Sequence, residues 1–117
     1  MKSYRDLIVW NKSVNMVTLE YVLLKNFPSD EKFGLTSQIK ESSVSITSNI
    51  AEGYGRNYTK DYARFLQISR GSLFEMQTQL QIAVNLGFIY ENELTEIKSL
   101  SIEVEKMLNV LIKKMLK

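Results

Sequence analysis

The sequence predicts an all-α protein built as an antiparallel up-down-up-down four-helix bundle, and three observations lead there. Apolar residues recur at alternating spacings of three and four through four separate stretches, the period of a helix with one buried face. The single proline, Pro28, and the five glycines at 34, 53, 55, 71 and 87 punctuate the chain, and their scarcity elsewhere favours long helices over many short strands. With 117 residues, 44% of them hydrophobic, there is enough apolar material for one core and no room for a second domain.

The first stretch carries Leu7, Trp10, Val14, Val17, Tyr21 and Leu24. It predicts a helix from near Asp6 to Asn26, stopped by Phe27-Pro28 because proline disfavours helical geometry in the residue before it. Ser29-Asp30-Glu31-Lys32 reads as a short capped turn, and Gly34 lets the chain change direction. A second helix is expected over residues 35–54, with Leu35, Ile39, Ser42, Ser43, Ile46 and Ile50 inward. Its many small residues (Ser37, Ser42, Ser43, Ser45, Ser48, Ala51 and Gly53) permit close approach of a neighbour, while β-branched Val44, Ile46 and Thr47 leave it dependent on tertiary packing.

Thr59 is the expected N-cap of a third helix, whose inner row is Tyr62, Leu66, Ser69, Leu73, Met76, Leu80 and Ala83. Beside that row runs a second stripe, Phe65, Ile68, Ile82 and Leu86, so apolar surface wraps further round than one core requires. Gly87 is placed to end this helix, and Phe88-Ile89-Tyr90 crosses to the fourth. There Leu94, Ile97, Ser101, Val104, Leu108, Leu111 and Met115 form the inner row, and Lys113, Lys114 and Lys117 complement the negative pole of the helix. Helices of this length, about 30 to 42 Å at 1.5 Å per residue, joined by short links, pack with sequential neighbours antiparallel.

Composition removes whole classes of chemistry. Cysteine and histidine are both absent, which excludes disulfides, thiol nucleophiles, Cys/His zinc sites, Ser-His-Asp triads and histidine acid-base catalysis. Lys and Arg number 15 against 13 Asp and Glu, a formal charge of +2, far from the profile of a strongly basic tail. Neither a signal peptide nor a membrane-spanning stretch is expected, so the cytoplasm is the expected compartment and no membrane partner is implied. No cofactor and no catalytic residue is assigned.

The most distinctive local run is Ser48-Asn49-Ile50-Ala51-Glu52-Gly53-Tyr54-Gly55-Arg56. Asn49 and Glu52, three apart, share a helix face, and Arg56 follows Glu52 by four, where an ion pair forms if the turn persists past Gly53. A structural role has Asn49 and Glu52 satisfy each other, backbone groups, or an arginine of the third helix, Arg64 or Arg70. On the third helix Glu75 and Gln79 read as a polar seam, and Gly71 as a point of close backbone approach. A magnesium site on Glu52 and Glu75 is chemically allowed, but two glutamates alone are weak grounds for one. Positive charge is concentrated: residues 53–72 carry Arg56, Lys60, Arg64 and Arg70 against Asp61, whereas residues 73–117 have five cations against six carboxylates. Tyr54, Tyr58 and Tyr62 interleave with those cations, a mixture that serves phosphate contacts and base stacking, or equally a solvated helix start with tyrosines packed at a bundle end.

Five blocks, Leu7-Ile8-Val9-Trp10, Gly34-Leu35-Thr36-Ser37-Gln38-Ile39, the Asn49 to Arg56 run with Ser48 before it, Phe65-Leu66-Gln67-Ile68-Ser69-Arg70-Gly71-Ser72 and Glu75-Met76-Gln77-Thr78-Gln79-Leu80, together span nearly the whole chain. In this order and spacing the sequence resembles the bacterial four-helix-bundle proteins encoded in intervening sequences of 23S ribosomal RNA genes. Two departures stand out: Thr47 replaces a proline usual in relatives, leaving open whether the second helix kinks there, and Glu41-Ser42 replaces a basic and small pair. The resemblance implies a ring-like homopentamer, similar in fold to the nucleic-acid-binding accessory protein of diversity-generating retroelements, and it implies no enzymatic activity. The expectation is therefore a non-enzymatic homo-oligomer, binding RNA or a nucleic-acid-processing partner through the link between helices two and three. The alternative is a protein-interaction scaffold with no nucleic-acid affinity.

Overall fold

A computed structural model of the protein describes residues 2–117, and among them there are four α-helices and no strand. The chain opens on a 3-10 turn, Tyr4–Asp6, in which the Ser3 hydroxyl accepts from the Arg5 amide at 3.1 Å and the Asp6 carboxylate accepts from the Ser3 amide at 3.2 Å. Asp6 therefore belongs to this turn. Leu7 is extended, and helix α1 runs over Ile8–Leu24.

The buried face of α1 is rotated from the expected one. Val9, Ser13, Met16, Glu20, Leu23 and Phe27 are buried along with Leu7, Val17 and Leu24, while Trp10 and Val14 are half-buried and Tyr21 is exposed. Both rows have helical spacing, so periodicity alone does not choose between them. The row that wins contains a serine and a glutamate because α2 supplies their partners: Ser13 Oγ donates to Thr47 Oγ1 at 3.0 Å and Ser43 Oγ donates to Glu20 Oε1 at 3.0 Å.

After a second 3-10 turn, Ser29–Glu31, helix α2 covers Leu35–Tyr54 without a break at Thr47. Its first turn is capped by the Glu31 carboxylate, which accepts from the Leu35 amide at 3.1 Å. Helix α3 spans Thr59–Asn85, and its N-cap is Tyr58 rather than Thr59, which is the first helical residue. Gly87 has φ of 78° and ends α3 as expected, with the Phe88 amide donating to the Ala83 carbonyl at 2.9 Å and the Gly87 amide to the Val84 carbonyl at 3.0 Å. A third 3-10 turn, Glu91–Leu94, leads into helix α4 over Thr95–Met115.

The bundle measures 43 × 25 × 22 Å. Its core is filled by Met16, Ile39, Ile46, Leu66, Leu73, Met76, Val104 and Leu108, all fully buried. The closest helix pair is α2 with α3, and glycine makes it possible at position 53. A Cβ there would lie 2.8 Å from Phe65 Cβ and 3.0 Å from Tyr62 Cδ1. Gly71 plays no such part within the chain, since a Cβ would meet nothing within 4 Å. The close approach expected at Gly71 is made at Gly53, near the crossing of the two helix ends.

Candidate nucleic-acid interface

The up-down order brings the start of α1, the end of α2, the start of α3 and the end of α4 to one end of the bundle. At this end lie Arg56, Lys60 and Arg64 of the α2–α3 link region, joined by Lys2 and Arg5 from before α1 and Lys113, Lys114 and Lys117 from the end of α4. All eight are exposed. Among the described residues, only the side chains of Asp6, Glu52 and Asp61 oppose them there. The other end, by contrast, carries Asp30, Glu31, Glu91, Glu93 and Glu96 against Lys25, Lys32, Lys40 and Lys98. A net charge of +2 thus hides a molecule with a cationic end and an acidic one.

Sequence reasoning saw three of these eight cations as one cluster and missed Lys2, Arg5, Lys113, Lys114 and Lys117 as members of it. They are distant in sequence and adjacent only through topology. The signal was available in the helix count itself, because an even number of antiparallel helices returns both outer segments to the same end.

Arg56 is held twice. Its Nη2 donates to Glu52 Oε1 at 2.9 Å, and its guanidinium lies 4.6 Å from the centre of the Phe65 ring. The ion pair survives the end of α2 because the chain stays coiled through Gly55: the Gly55 amide donates to the Glu52 carbonyl at 3.2 Å and the Arg56 amide to the Gly53 carbonyl at 3.0 Å. Arg64 also lies 4.6 Å from the Phe65 ring centre. Phe65, expected on the exposed stripe, is 92% buried because these two guanidiniums and Gly53 cover it. Neither Arg64 nor Lys60 forms an ion pair among the described residues. Of the two guanidiniums on this ring, that of Arg56 is bonded to Glu52 and that of Arg64 forms no ion pair among the described residues, which leaves Arg64 with planar donors of the kind that can take an anion such as phosphate.

The tyrosines divide. Tyr54 and Tyr62 meet edge to face, with ring centres 6.2 Å apart, and burial, followed by the proximity of Tyr54, pushes the Tyr62 hydroxyl above its ordinary pKa, so it stays neutral. Tyr58 is 73% exposed. Arg70 stands apart from the cluster on the α3–α4 flank, where its Nη1 donates to Asn109 Oδ1 at 2.9 Å. That bond shows which residue of α4 stands level with Arg70. Lys113 lies four residues past Asn109, about 6 Å further along the helix, towards the level of Arg64.

The polar motif serves the helix pair. Asn49 Nδ2 donates to the Ser45 carbonyl at 2.7 Å and to Ser45 Oγ at 3.0 Å, so it does not bond Glu52. Glu52 is taken by Arg56 rather than by Arg64 or Arg70. A seam of small polar contacts joins α2 to α3: Ser42 Oγ donates to Gln79 Oε1 at 2.8 Å, Ser45 and Ser72 hydroxyls lie 2.8 Å apart, and Ser69 Oγ donates to the Ile46 carbonyl at 2.7 Å. Gln79 is in that seam, whereas Glu75 points outward and is exposed. With Ser45 opposite Ser72, Glu52 and Glu75 lie roughly 15 Å apart along the helix axes, too far to share a magnesium ion. No group of three or more carboxylates among the described residues is placed to hold a metal.

A family model for 23S rRNA-intervening sequence proteins matches residues 5–110. Among solved structures, the chain is similar to the crystal structure of a protein of unknown function from the S23 ribosomal protein family of Bacteroides thetaiotaomicron. The TM-score is 0.83 at 26% identity, over 91% of this chain and 99% of that one. No curated protein matches. No helix among the described residues is long and apolar enough to cross a membrane.

Proposed function

We propose, from the premise that this chain belongs to the 23S rRNA-intervening sequence protein family, that it is a non-enzymatic, cytoplasmic, homo-oligomeric bundle that binds RNA through its cationic end. The observation that carries this reading is the gathering of Arg56, Lys60, Arg64 and the outer-segment lysines onto one end of a nearly neutral molecule. Each phosphate neutralised releases counterions, so affinity falls steeply with salt.

One chain offers a small footprint, and assembly multiplies it. The exposed apolar flank of α3, with Ile68 at 41%, Ile82 at 43% and Leu86 at 60% exposure, supports packing between copies, and a pentamer is the assembly that the family resemblance implies. The same exposed flank supports the rival reading, a scaffold that displays protein-binding surfaces and has no affinity for nucleic acid.

A gel-retardation assay with RNA at low salt tests the first reading. A shift is expected for the natural protein, reduced at least tenfold in Arg56→Glu with Arg64→Glu; absence of a shift, or one indifferent to that double change, rejects it. Pull-down from lysate with and without nuclease separates the rival: a protein partner retained after nuclease favours the scaffold.

A further inference from the structure

Every aromatic ring at the cationic end except one is already engaged. Tyr4 packs edge to face on Trp10, with centres 5.1 Å apart, and lies under Arg5. Tyr54 meets Tyr62, and Phe65 is covered by Arg56 and Arg64. Tyr58 makes no ring or cation contact among the described residues and is 73% exposed. It is also well placed, because it occupies the extended N-cap position of α3, φ −116° and ψ 140°, with Arg56 two residues before it and Lys60 two after.

We infer that the ligand of this end is single-stranded, and that Tyr58 stacks against one of its unpaired bases while the cations around it, Arg56 and Lys60 first, take its phosphates; this rests on the nucleic-acid reading above. Against a phosphate backbone Tyr58 can offer only its hydroxyl, whereas its unengaged ring offers a π-face to a base free to leave its own stack. In a duplex the bases are paired and stacked on each other, and only the backbone reaches a surface of this kind. Cations alone would bind both forms according to charge. The ring is what separates them.

A second exposed tyrosine supplies the control. Tyr90 is 78% exposed at the opposite end, where Glu91 and Glu93 follow it. Its chemistry is that of Tyr58, but its electrostatic setting repels phosphate.

Fluorescence anisotropy with labelled adenosine and uridine oligonucleotides of about 12 nucleotides, and with a duplex of equal phosphate number, tests the inference. The natural protein is expected to favour the single strands, adenosine above uridine. Tyr58→Ala should weaken single-strand binding about tenfold, the size of one lost base–aromatic stack, and leave duplex binding unchanged. Tyr58→Phe and Tyr90→Ala should both retain the preference. Equal losses on the two forms, or no loss with Tyr58→Ala, would overturn the stacking inference while leaving the cationic-end reading intact. No salt-sensitive binding of either form would overturn both.

Discussion

Glu20 is fully buried between α1 and α2, where one carboxyl oxygen accepts from Ser43 and the other has no partner. Burial pushes its pKa from 4.5 to about 8, against which the Ser43 bond is a smaller, lowering effect. The folded protein therefore holds a proton that the unfolded chain releases near its ordinary pKa. The stability this gives is fully present below pH 4.5 and is lost progressively as pH rises towards 8. At pH 7 the loss amounts to about 3 kcal/mol. Glu20→Gln keeps the shape without the titration, so urea midpoints of the natural protein should fall between pH 5 and 8 while those of the variant stay flat. Gly53→Ala is a second local test. Its new methyl would meet Phe65 Cβ, which belongs to the covered ring and cannot swing away, and a loss of about 1 to 3 kcal/mol in thermal or chemical unfolding is expected.

At the level of helices, much of the structure was legible. Pro28 and Gly87 marked real boundaries, the span of α2 agrees end to end, the inner row of α3 is buried along nearly its full length, and that of α4 is buried through Leu108, after which Ile112 is buried and Leu111 and Met115 are half-buried. What periodicity could not settle was which of two equally spaced rows of α1 faces inward, because the winning row holds Ser13 and Glu20, and their partners Thr47 and Ser43 lie on another helix. The same limit explains Gly71 and Gly53, both glycines in helices. Only the neighbour opposite each one tells a crowded site from an open one. The candidate site divides in a similar way: the Glu52–Arg56 pair is local and followed from spacing, whereas the covering of Phe65 and the diversion of Arg70 to Asn109 depend on tertiary neighbours. Helix α3 also supplies a prediction of its own. Ile68 and Ile82 stand exposed on one flank, and placing a charge there should disfavour packing between copies without entering the core. Sedimentation should find the natural protein as a multi-chain species and Ile68→Glu with Ile82→Glu as a single folded chain; a natural protein that stays single at micromolar concentration would remove the oligomer.

Across the whole molecule the decisive property is the separation of charge along the long axis. Length and net charge describe an ordinary small domain, yet the antiparallel order sends the α2–α3 link and both outer segments to one end and collects carboxylates at the other. If nucleic acid responds to that asymmetry, position must matter more than total charge. Two double variants with the same change in net charge make the comparison: Arg56→Glu with Arg64→Glu at the cationic end, and Lys25→Glu with Lys32→Glu at the acidic end. The most direct measurement is the slope of log affinity for a single-stranded RNA against log salt concentration for these two and the natural protein. The cationic-end variant should lose at least tenfold in affinity and show a shallower slope, while the acidic-end variant keeps the natural slope and an affinity within about twofold. Equal losses from both variants, or a slope indifferent to either, would contradict a binding surface at the α2–α3 end.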